Sequence, residues 1–272
     1  MMKKEILGIL RDKKYSPNHI ETDALIMRMT AAELKVLNFN VQLIYENNFV
    51  RSKKEFKHVF SMGRSESTLK ILSLWQKSGF VVINSPEGVY NAYRKHMTKI
   101  MNEHKVTYPQ SILIDNENFR TQCYEQLNSR KVWLKSDKHS LHREDVTPVF
   151  NKEECEVIIK EFARRNIKQV LLQEHKTGSE IKFYGVNNSD FFHWYYTNGV
   201  SPYGFSEQDL IHIAGKIAQL LKLDVYGGDA IITEKGEIYI IDFNDWPSFA
   251  PIKDLASKAI ARLIADRING EN

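Results

Sequence analysis

Cysteine is scarce in this chain, with two residues in 272. Cys123 and Cys155 cannot build a disulfide framework or a four-cysteine zinc site. Glycine and proline are also sparse, at 13 and 7 residues, which excludes collagen-like and low-complexity classes. No apolar run approaches the roughly 20 residues that span a bilayer, and the apolar stretch 6–10 is shorter than a signal-peptide core. We therefore expect a cytoplasmic protein without a membrane partner.

Charge of one sign is barely in excess, because 38 Lys and Arg residues against 34 Asp and Glu leave a formal net charge of +4. Such a small excess does not indicate a nucleic-acid partner, and no motif that interleaves aromatic and basic residues is present. The glycine-rich Walker A loop and the dinucleotide fingerprint are also missing. If the protein binds phosphate, it uses lysines and main-chain amides in a different fold.

Strand-like and helix-like segments alternate over the first third of the chain, which favours a parallel sheet with helices on its faces. Pro86 then opens a helix that is expected to run to about His104. Later segments are richer in strands. The expected fold class is α/β plus α+β, with an N-terminal α/β domain at 1–90, a central α+β lobe at 91–168 and a C-terminal α+β lobe at 169–272.

The strongest chemical signal is an acidic hairpin near the C-terminus. Two β-rich runs flank positions 235–236, where a two-residue turn is plausible. Asp229 and Asp242 are equally distant from that turn, so we expect them to lie directly opposite each other. Asn244 is two residues further along and shares their face.

Two carboxylates opposed at ~5 Å in an otherwise apolar hairpin repel each other and are costly to desolvate. A divalent cation removes that conflict. The carboxylates of Asp229 and Asp242 and the amide oxygen of Asn244 are hard donors, suited to Mg²⁺ or Mn²⁺ with substrate phosphates completing an octahedron. The alternative is an ordinary hairpin whose acidic residues face solvent. The apolar neighbours on both strands favour the metal interpretation.

Candidate phosphate ligands are Lys95, on the helix that follows Pro86, and Lys135, at the end of an apolar strand. A lysine at such a place is a point charge for phosphate oxygens, although either residue taken alone is an ordinary surface lysine. The strand 170–175 changes from apolar to polar, and its end can present main-chain donors and acceptors to an adenine edge. Glu180 can then accept hydrogen bonds from ribose hydroxyls, or it is simply an exposed residue of a hairpin.

Taken in order, these segments resemble the ATP-grasp superfamily over nearly the whole chain, and best from about Asn84 onward. Members of that superfamily hold MgATP between two α+β lobes, usually after a small parallel-sheet domain. The resemblance implies ATP as a cofactor, together with one or two Mg²⁺ or Mn²⁺ ions on Asp229, Asp242 and Asn244. It also implies a set of nucleotide-binding residues, which are Lys95, Lys135, Gln173, Glu174, His175 and Glu180.

The resemblance further places Lys182 where the family often has a basic residue facing the transferred phosphate. The loop after Lys135 departs from many members, which carry a glycine-rich flap there. It holds His139, His142 and Arg143, which favours a more anionic or polyhydroxylated substrate and resembles the inositol polyphosphate kinase branch. Lys182 and Arg143 are the candidate catalytic residues.

Residues expected at the acceptor end are less clearly marked. Arg11 and Asn18 follow the first predicted strand, Arg64 follows another, and the carboxyl ends of parallel strands are where such sheets bind ligands. Each arginine can clamp a carboxylate or phosphate bidentately, or it can form a surface ion pair. Trp246 and Phe249, just after the metal motif, either wall the substrate pocket or pack the last helix.

Three functional hypotheses follow. The first is an ATP- and Mg²⁺-dependent ligase that activates a small anionic substrate's carboxylate as an acyl phosphate for attack by an amine, releasing ADP. The second is a kinase that phosphorylates a hydroxyl of an inositol or another polyol, with His139, His142 and Arg143 on the acceptor. The third is a nucleotide-binding module without chemistry, or an RNA-binding protein, for which the dispersed charges give the least support.

Overall fold

The computed structural model describes residues 3–17, 19–52, 54–118, 122–127, 129–138, 143–199 and 203–270. Its β-strands are β1 (Glu5–Leu10), β2 (Asn40–Tyr45), β3 (His58–Ser61), β4 (Val81–Ile83), β5 (Ser111–Asp115), β6 (Val132–Ser136), β7 (Val146–Val149), β8 (Gln169–Glu174), β9 (Ser179–Val186), β10 (Phe192–Tyr196), β11 (Val225–Ile232) and β12 (Ile238–Asp245). Its α-helices are α1 (Ile20–Val36), α2 (Glu46–Phe49), α3 (Glu66–Lys77), α4 (Pro86–Asn91), α5 (Arg94–Glu103), α6 (Gln122–Glu125), α7 (Lys152–Arg164), α8 (Glu207–Leu221) and α9 (Lys253–Asn269). Among the described helices, none combines the length and the apolar character needed to cross a bilayer.

The first sheet is parallel, with the strand order β2–β1–β3–β4. β1 is buried over nearly its whole length, as is usual for a parallel strand covered on both faces. Helices α1 and α9 pack against each other, and they share one apolar core with Ile6 and Phe60 of the sheet. The parallel N-terminal sheet expected from the alternating segments is confirmed.

The second sheet is antiparallel, with the order β5–β8–β6–β7. Helix α7 packs on it, and its core includes Leu134, Phe162 and Leu172. Strand β8 pairs with both β5 and β6, so it is a central strand of this sheet and completes the backbone hydrogen bonds of both neighbours. The boundary expected at 168/169 therefore separates β8 from the sheet to which it belongs. The division into three domains otherwise stays a prediction.

The third sheet is also antiparallel, with the order β10–β9–β11–β12. One face of it shares an apolar core with α5 and α8, in which Phe183, Ile217 and Phe243 are fully buried. Because side chains alternate along a strand, the other face carries the polar residues Lys182 and Asp229. One parallel and two antiparallel sheets agree with the expected fold class.

The helix expected between Pro86 and His104 is broken into α4 and α5. Tyr93 adopts an extended conformation between them, with φ −64° and ψ 134°, and becomes the N-cap of α5. Its carbonyl accepts the first backbone hydrogen bonds of that helix from His96 and Met97. The break brings Arg94 to the first turn of α5, where its side chain is buried.

Asn84 connects the first sheet to the third. Its side-chain nitrogen donates a 2.7 Å hydrogen bond to the carbonyl of Val225, and its side-chain oxygen accepts from the amides of Asp224 and Val225 at 2.9 and 2.8 Å. The amide group is buried and uses both its donor and its acceptor, so it holds the start of β11 beside the end of β4.

Candidate active site

Asp229 and Asp242 lie directly opposite each other on β11 and β12, which confirms the pairing expected from the sequence. The register shifts immediately beyond this pair, where Ala230 faces Ile240. Ile241 is thus the extra residue of a β-bulge, a feature that re-aims side chains and is frequent beside active sites. Because of the bulge, the consecutive residues Ile241 and Asp242 both line the same cavity.

The turn of this hairpin differs from the two-residue turn expected at 235–236. The amide of Thr233 donates a 3.0 Å hydrogen bond to the carbonyl of Glu237, and Gly236 has a φ of 77°. A three-residue loop that ends in a left-handed glycine has this conformation. The three-residue loop shifts the register by one residue, and the bulge at Ile241 shifts it back by one. The prediction of the turn was therefore wrong, whereas the predicted pairing of the aspartates is correct.

Each carboxylate of the pair has a cationic partner. Lys182 Nζ lies 2.5 Å from Asp229 Oδ1, and a terminal nitrogen of Arg94 lies 3.1 Å from Asp242 Oδ2. Burial raises the pKa of Asp229, and Lys182 opposes this effect only in part. Burial acts in the same sense on Asp242, but Arg94 and Lys135 outweigh it and lower the pKa of that carboxyl. Asp242 is therefore the more firmly ionised member of the pair.

The first cavity, of about 590 Å³, opens between the second and third sheets beside the aspartate pair. Its volume lies within the roughly 300–1,000 Å³ usual for small-molecule sites. Its lining brings together many of the residues predicted from the sequence, which are Lys135, Gln173, Glu174, His175, Glu180, Asp229 and Asp242. Lys95 does not line it, because its Nζ lies 3.8 Å from Asp137 Oδ2 outside the cavity. The preceding residue, Arg94, lines the cavity in its place.

The end of this cavity beside the aspartates is rich in positive charge. Lys135 is 5% exposed, and its Nζ donates a 2.8 Å hydrogen bond to the main-chain carbonyl of Ile241. Burial lowers the pKa of Lys135 to about 8. Arg94 lies close to the same carboxylates. Two buried cations beside a carboxylate pair form a set of charges suited to a polyphosphate with a bound metal.

The opposite end of the first cavity is formed where β8 ends. Trp133 Nε1 donates a 3.2 Å hydrogen bond to His175 Nδ1. Because an indole N–H only donates, Nδ1 is unprotonated and His175 carries its proton on Nε2. Burial, assisted by Lys131, lowers the pKa of His175, which favours this neutral ring. Glu174 accepts hydrogen bonds from the amide of Gln110 at 2.8 Å and pairs with a neighbouring lysine, so it is already partnered.

Apolar surface lies between the two ends, and it is supplied by Val146, Ile231 and Ile241. Apolar side chains of this kind are usual in the lining of small-molecule sites. Burial, followed by the charge of Asp229, raises the pKa of Glu180 on the same wall. The Gln173 side chain is buried and donates a 3.1 Å hydrogen bond to Ser111 Oγ, so this side chain is held below the cavity.

The second cavity, of about 640 Å³, lies between the third sheet and the loops that follow the parallel strands of the first sheet. Lys182 and Asn244 line this second cavity and not the first. The phenols of Tyr184 and Tyr195 meet there at 3.5 Å. Since Lys182 pairs with Asp229 of the first cavity, this ion pair lies on the boundary between the two cavities.

Arg11 and Arg64 also line the second cavity, but both are tied to carboxylates of the protein. Arg11 pairs with Asp23 at 2.9 Å, and Arg64 binds Asp245 through two nitrogens at 2.7 and 3.2 Å. Both arginines are nearly buried, and buried charges need partners of opposite sign. Arg64 does bind a carboxylate through two nitrogens, but that carboxylate is the side chain of Asp245 and not a ligand.

Some predicted residues lie elsewhere. Asn18, His139 and His142 fall outside the described residues, as does the side chain of Arg143. Trp246 and Phe249 are fully buried in the core shared by the first and third sheets. Of the two alternatives for these rings, the structure thus supports packing of the last helix.

No protein-family model and no curated protein sequence matches the chain, whereas solved structures resemble it over nearly its whole length. The D-alanine–D-alanine ligase of Coxiella burnetii has a TM-score of 0.76 at 12% identity, with 99% of this chain and 97% of that chain covered. The D-alanine–D-alanine ligase of Bacillus anthracis complexed with ATP has a TM-score of 0.74 at 12% identity, with 98% and 99% covered. A RimK-domain ATP-grasp protein of Sphaerobacter thermophilus has a TM-score of 0.71 at 14% identity, with 96% and 99% covered. The chain has the ATP-grasp fold.

The first cavity lies between the two antiparallel sheets, and the binding of MgATP there, which the sequence resemblance implies, stays a prediction. Two further residues that line the first cavity, Arg94 and Trp133, were not predicted from the sequence. The position of Arg94 could not be predicted, because no proline or glycine marks the helix break at Tyr93. Trp133 was detectable, because it lies two residues before Lys135 on the same face of β6 and therefore in the same cavity.

The aspartate pair and its neighbour on β12 are candidate donors for a divalent cation. Among the described residues, no group of three or more His, Cys, Asp and Glu side chains is arranged to hold a metal. A metal would depend on the two carboxylates Asp229 and Asp242, with the amide of Asn244 two residues further along β12. The opposed carboxylates are hard donors of the kind that Mg²⁺ or Mn²⁺ prefers, whereas Asn244 lines the second cavity. Lys182 and Arg94 supply the balancing positive charge to these carboxylates.

Proposed function

We propose that this protein is an ATP- and Mg²⁺-dependent carboxylate–amine ligase. The observation that carries the proposal is the position of the Asp229–Asp242 pair. Both residues line the first cavity, and Asp229 is joined by its ion pair with Lys182 to the second. A nucleotide whose phosphates reach the aspartates therefore ends beside a separate cavity that is large enough for an acceptor.

The first cavity would hold the nucleotide by its own side chains. Val146 and Ile231 offer apolar surface to the base, and Glu180 lies where it can accept hydrogen bonds from ribose hydroxyls. Lys135 and Arg94 would offset phosphate charge at the other end. Asp229, Asp242 and Asn244 would hold Mg²⁺, which when bound neutralises charge on the β- and γ-phosphates.

The second cavity would hold the acceptor. A carboxylate oxygen of the acceptor attacks the γ-phosphorus, the bond from that phosphorus to the β–γ bridging oxygen breaks, and ADP leaves. An amine nitrogen then attacks the acyl carbon, the carbon–oxygen bond to phosphate breaks, and the amine loses a proton. Lys182, on the boundary between the cavities, would balance the charge that develops during transfer. The protein supplies position and charge, as phosphoryl transfer generally requires.

The structural neighbours support the ligase class over the hydroxyl kinase. Two of those compared are D-alanine–D-alanine ligases, one of them complexed with ATP. At 12–14% identity they indicate the fold, and the reaction is carried to this chain as a proposal. The kinase hypothesis depended on His139, His142 and Arg143, whose side chains lie outside the described residues.

Hydroxylamine trapping tests the proposed function. Purified protein is incubated with MgATP, hydroxylamine and a panel of small carboxylates, and ADP and hydroxamate are measured together. A ligase forms a hydroxamate with at least one carboxylate, because hydroxylamine intercepts the acyl phosphate. A hydroxyl kinase releases ADP with a polyol and forms no hydroxamate. If no ADP is released with any carboxylate or polyol, both enzymatic hypotheses are contradicted.

A further inference from the structure

Lys182 and Asp229 form an ion pair across the boundary between the two cavities. They face each other on the adjacent strands β9 and β11, with Nζ 2.5 Å from Oδ1. Lys182 lines the second cavity, whereas Asp229 lines the first. Their side chains are 33% and 18% exposed. A ligand in either cavity can therefore reach one member of the pair.

The other charges of the second cavity are already matched. Arg11 is compensated by Asp23, and Arg64 by Asp245, in ion pairs that are nearly buried. Breaking such a pair leaves a buried charge without a partner, which is costly. Among the described cations that line this cavity, Lys182 therefore differs from the two arginines. Its carboxylate partner, Asp229, also belongs to the proposed metal site.

Metal binding is the other proposed role of Asp229. The proposed metal site uses Asp229, and an ammonium 2.5 Å from the same carboxylate competes with a divalent cation for its oxygens. We propose that a metal ion displaces Lys182 from Asp229, and that the freed ammonium then receives the single carboxylate of an acceptor in the second cavity. This inference rests on the proposed function for the location of the metal. It deepens that function by naming a monocarboxylate as the acceptor class.

Charge arithmetic explains the choice of a monocarboxylate. Without metal, Arg11, Arg64 and Lys182 each have a carboxylate partner. Release of Lys182 adds one uncompensated positive charge to the second cavity. This single positive charge is balanced by one carboxylate. A polyphosphorylated inositol would instead bring several negative charges into the second cavity. Linkage also makes the effect reciprocal, so a bound monocarboxylate strengthens metal binding by the same factor.

Metal affinity is the first test, with Mn²⁺ alone as the probe and free Mn²⁺ followed by electron paramagnetic resonance. In Lys182→Gln the competing ammonium is gone, so we expect Mn²⁺ to bind about fivefold more tightly or better than in the wild type. Lys160→Gln is the matched control, because Lys160 forms an exposed ion pair with Glu156 outside both cavities. Equal or weaker Mn²⁺ binding by Lys182→Gln, relative to that control, would overturn the proposal.

The second test follows the Lys182 ammonium in the full wild-type chain, labelled with ¹⁵N-lysine and observed by NMR. The signal is assigned by its absence in Lys182→Gln. Mg²⁺ with a non-hydrolysable ATP analogue should shift this signal, and acetate added afterwards should shift it again. Acetate without metal should leave it in place. A Lys182 signal that ignores the bound metal nucleotide, or one that responds equally to acetate with and without metal, would overturn the inference.

The two proposals fail in different ways. If Mg²⁺ and nucleotide shift the Lys182 signal but no carboxylate yields a hydroxamate, the ligase function fails and the exchange at Asp229 stands. If hydroxamate forms while Mn²⁺ affinity is unchanged in Lys182→Gln, the function stands and the exchange fails.

Discussion

Lys135 donates a 2.8 Å hydrogen bond from Nζ to the main-chain carbonyl of Ile241. Ile241 is the residue of the bulge in β12 that has no partner in the register with β11. The bond therefore joins the end of β6, in the second sheet, to the strand that carries Asp242. It fixes a buried ammonium beside the aspartate pair and links the two lobes that enclose the first cavity.

Nucleotide binding should weaken as the pH rises through about 8. Burial lowers the pKa of Lys135 to about 8, so this lysine is mostly charged at pH 7 and mostly neutral at pH 9. Only the charged form attracts phosphate, and the affinity for MgATP should therefore fall between these pH values. The measurement is the Kd of MgATP, by isothermal titration calorimetry, at intervals from pH 7 to pH 9.

Lys135→Arg provides the comparison, because a guanidinium stays protonated over this whole range. Its affinity at pH 7 is expected to be lower, since the fork does not reproduce the bond to Ile241, but its pH dependence should be flatter. Parallel pH profiles for the wild type and Lys135→Arg would show that Lys135 does not govern the effect.

Removing either carboxylate of the aspartate pair should abolish Mg²⁺-dependent turnover. Asp229→Asn and Asp242→Asn each remove one charged oxygen donor, and we expect metal affinity to fall at least about 10-fold, because loss of even an outer-shell partner of a metal ligand costs about 10–100-fold. Mn²⁺ binding and ADP release report the two effects. Asp190→Asn, in an exposed turn, is the control. Unchanged Mn²⁺ binding in both variants would show that the metal lies elsewhere.

Arg94, and not Lys95, should be needed for nucleotide binding. Arg94 lines the first cavity and pairs with Asp242, whereas Lys95 points toward Asp137. We expect Arg94→Gln to weaken MgATP binding at least about tenfold, the equivalent of about 1.4 kcal/mol. Lys95→Gln should stay within about twofold of the wild type. The reverse result would restore the role that sequence resemblance implies for Lys95.

Loss of the Asn84 side chain should destabilise the protein. Its three hydrogen bonds to Asp224 and Val225 are buried, and at about 1 kcal/mol each their loss lowers the free energy of unfolding by about 3 kcal/mol. Asn91→Ala is the matched comparison, because Asn91 donates one bond, to the carbonyl of Leu221. Urea unfolding should show the larger decrease for Asn84→Ala. Equal effects would mean that Asn84 does not hold the two sheets together.

Local patterns were enough to predict that the two aspartates lie opposite each other. Side chains alternate along a strand, and a hairpin brings equidistant residues together, so Asp229 and Asp242 were placed correctly from their spacing. The turn was nevertheless wrong, and the bulge at Ile241 corrected it. The bulge residue Ile241 accepts a hydrogen bond from Lys135 of another strand, and the sequence of β12 does not encode that neighbour.

Long-range partners decided the rest. The sequence by itself determined the alternation of elements, the opposed carboxylates and the resemblance to ATP-grasp proteins. Tertiary structure alone decided that Arg94 and not Lys95 faces the first cavity, and that Arg11 and Arg64 are occupied by Asp23 and Asp245. Spacing along the chain specifies which face a side chain occupies, whereas the partner of a buried charge comes from whichever distant segment packs against it. That is why the opposed positions of Asp229 and Asp242 could be predicted, whereas the ion-pair partners of Arg11, Arg64 and Arg94 could not.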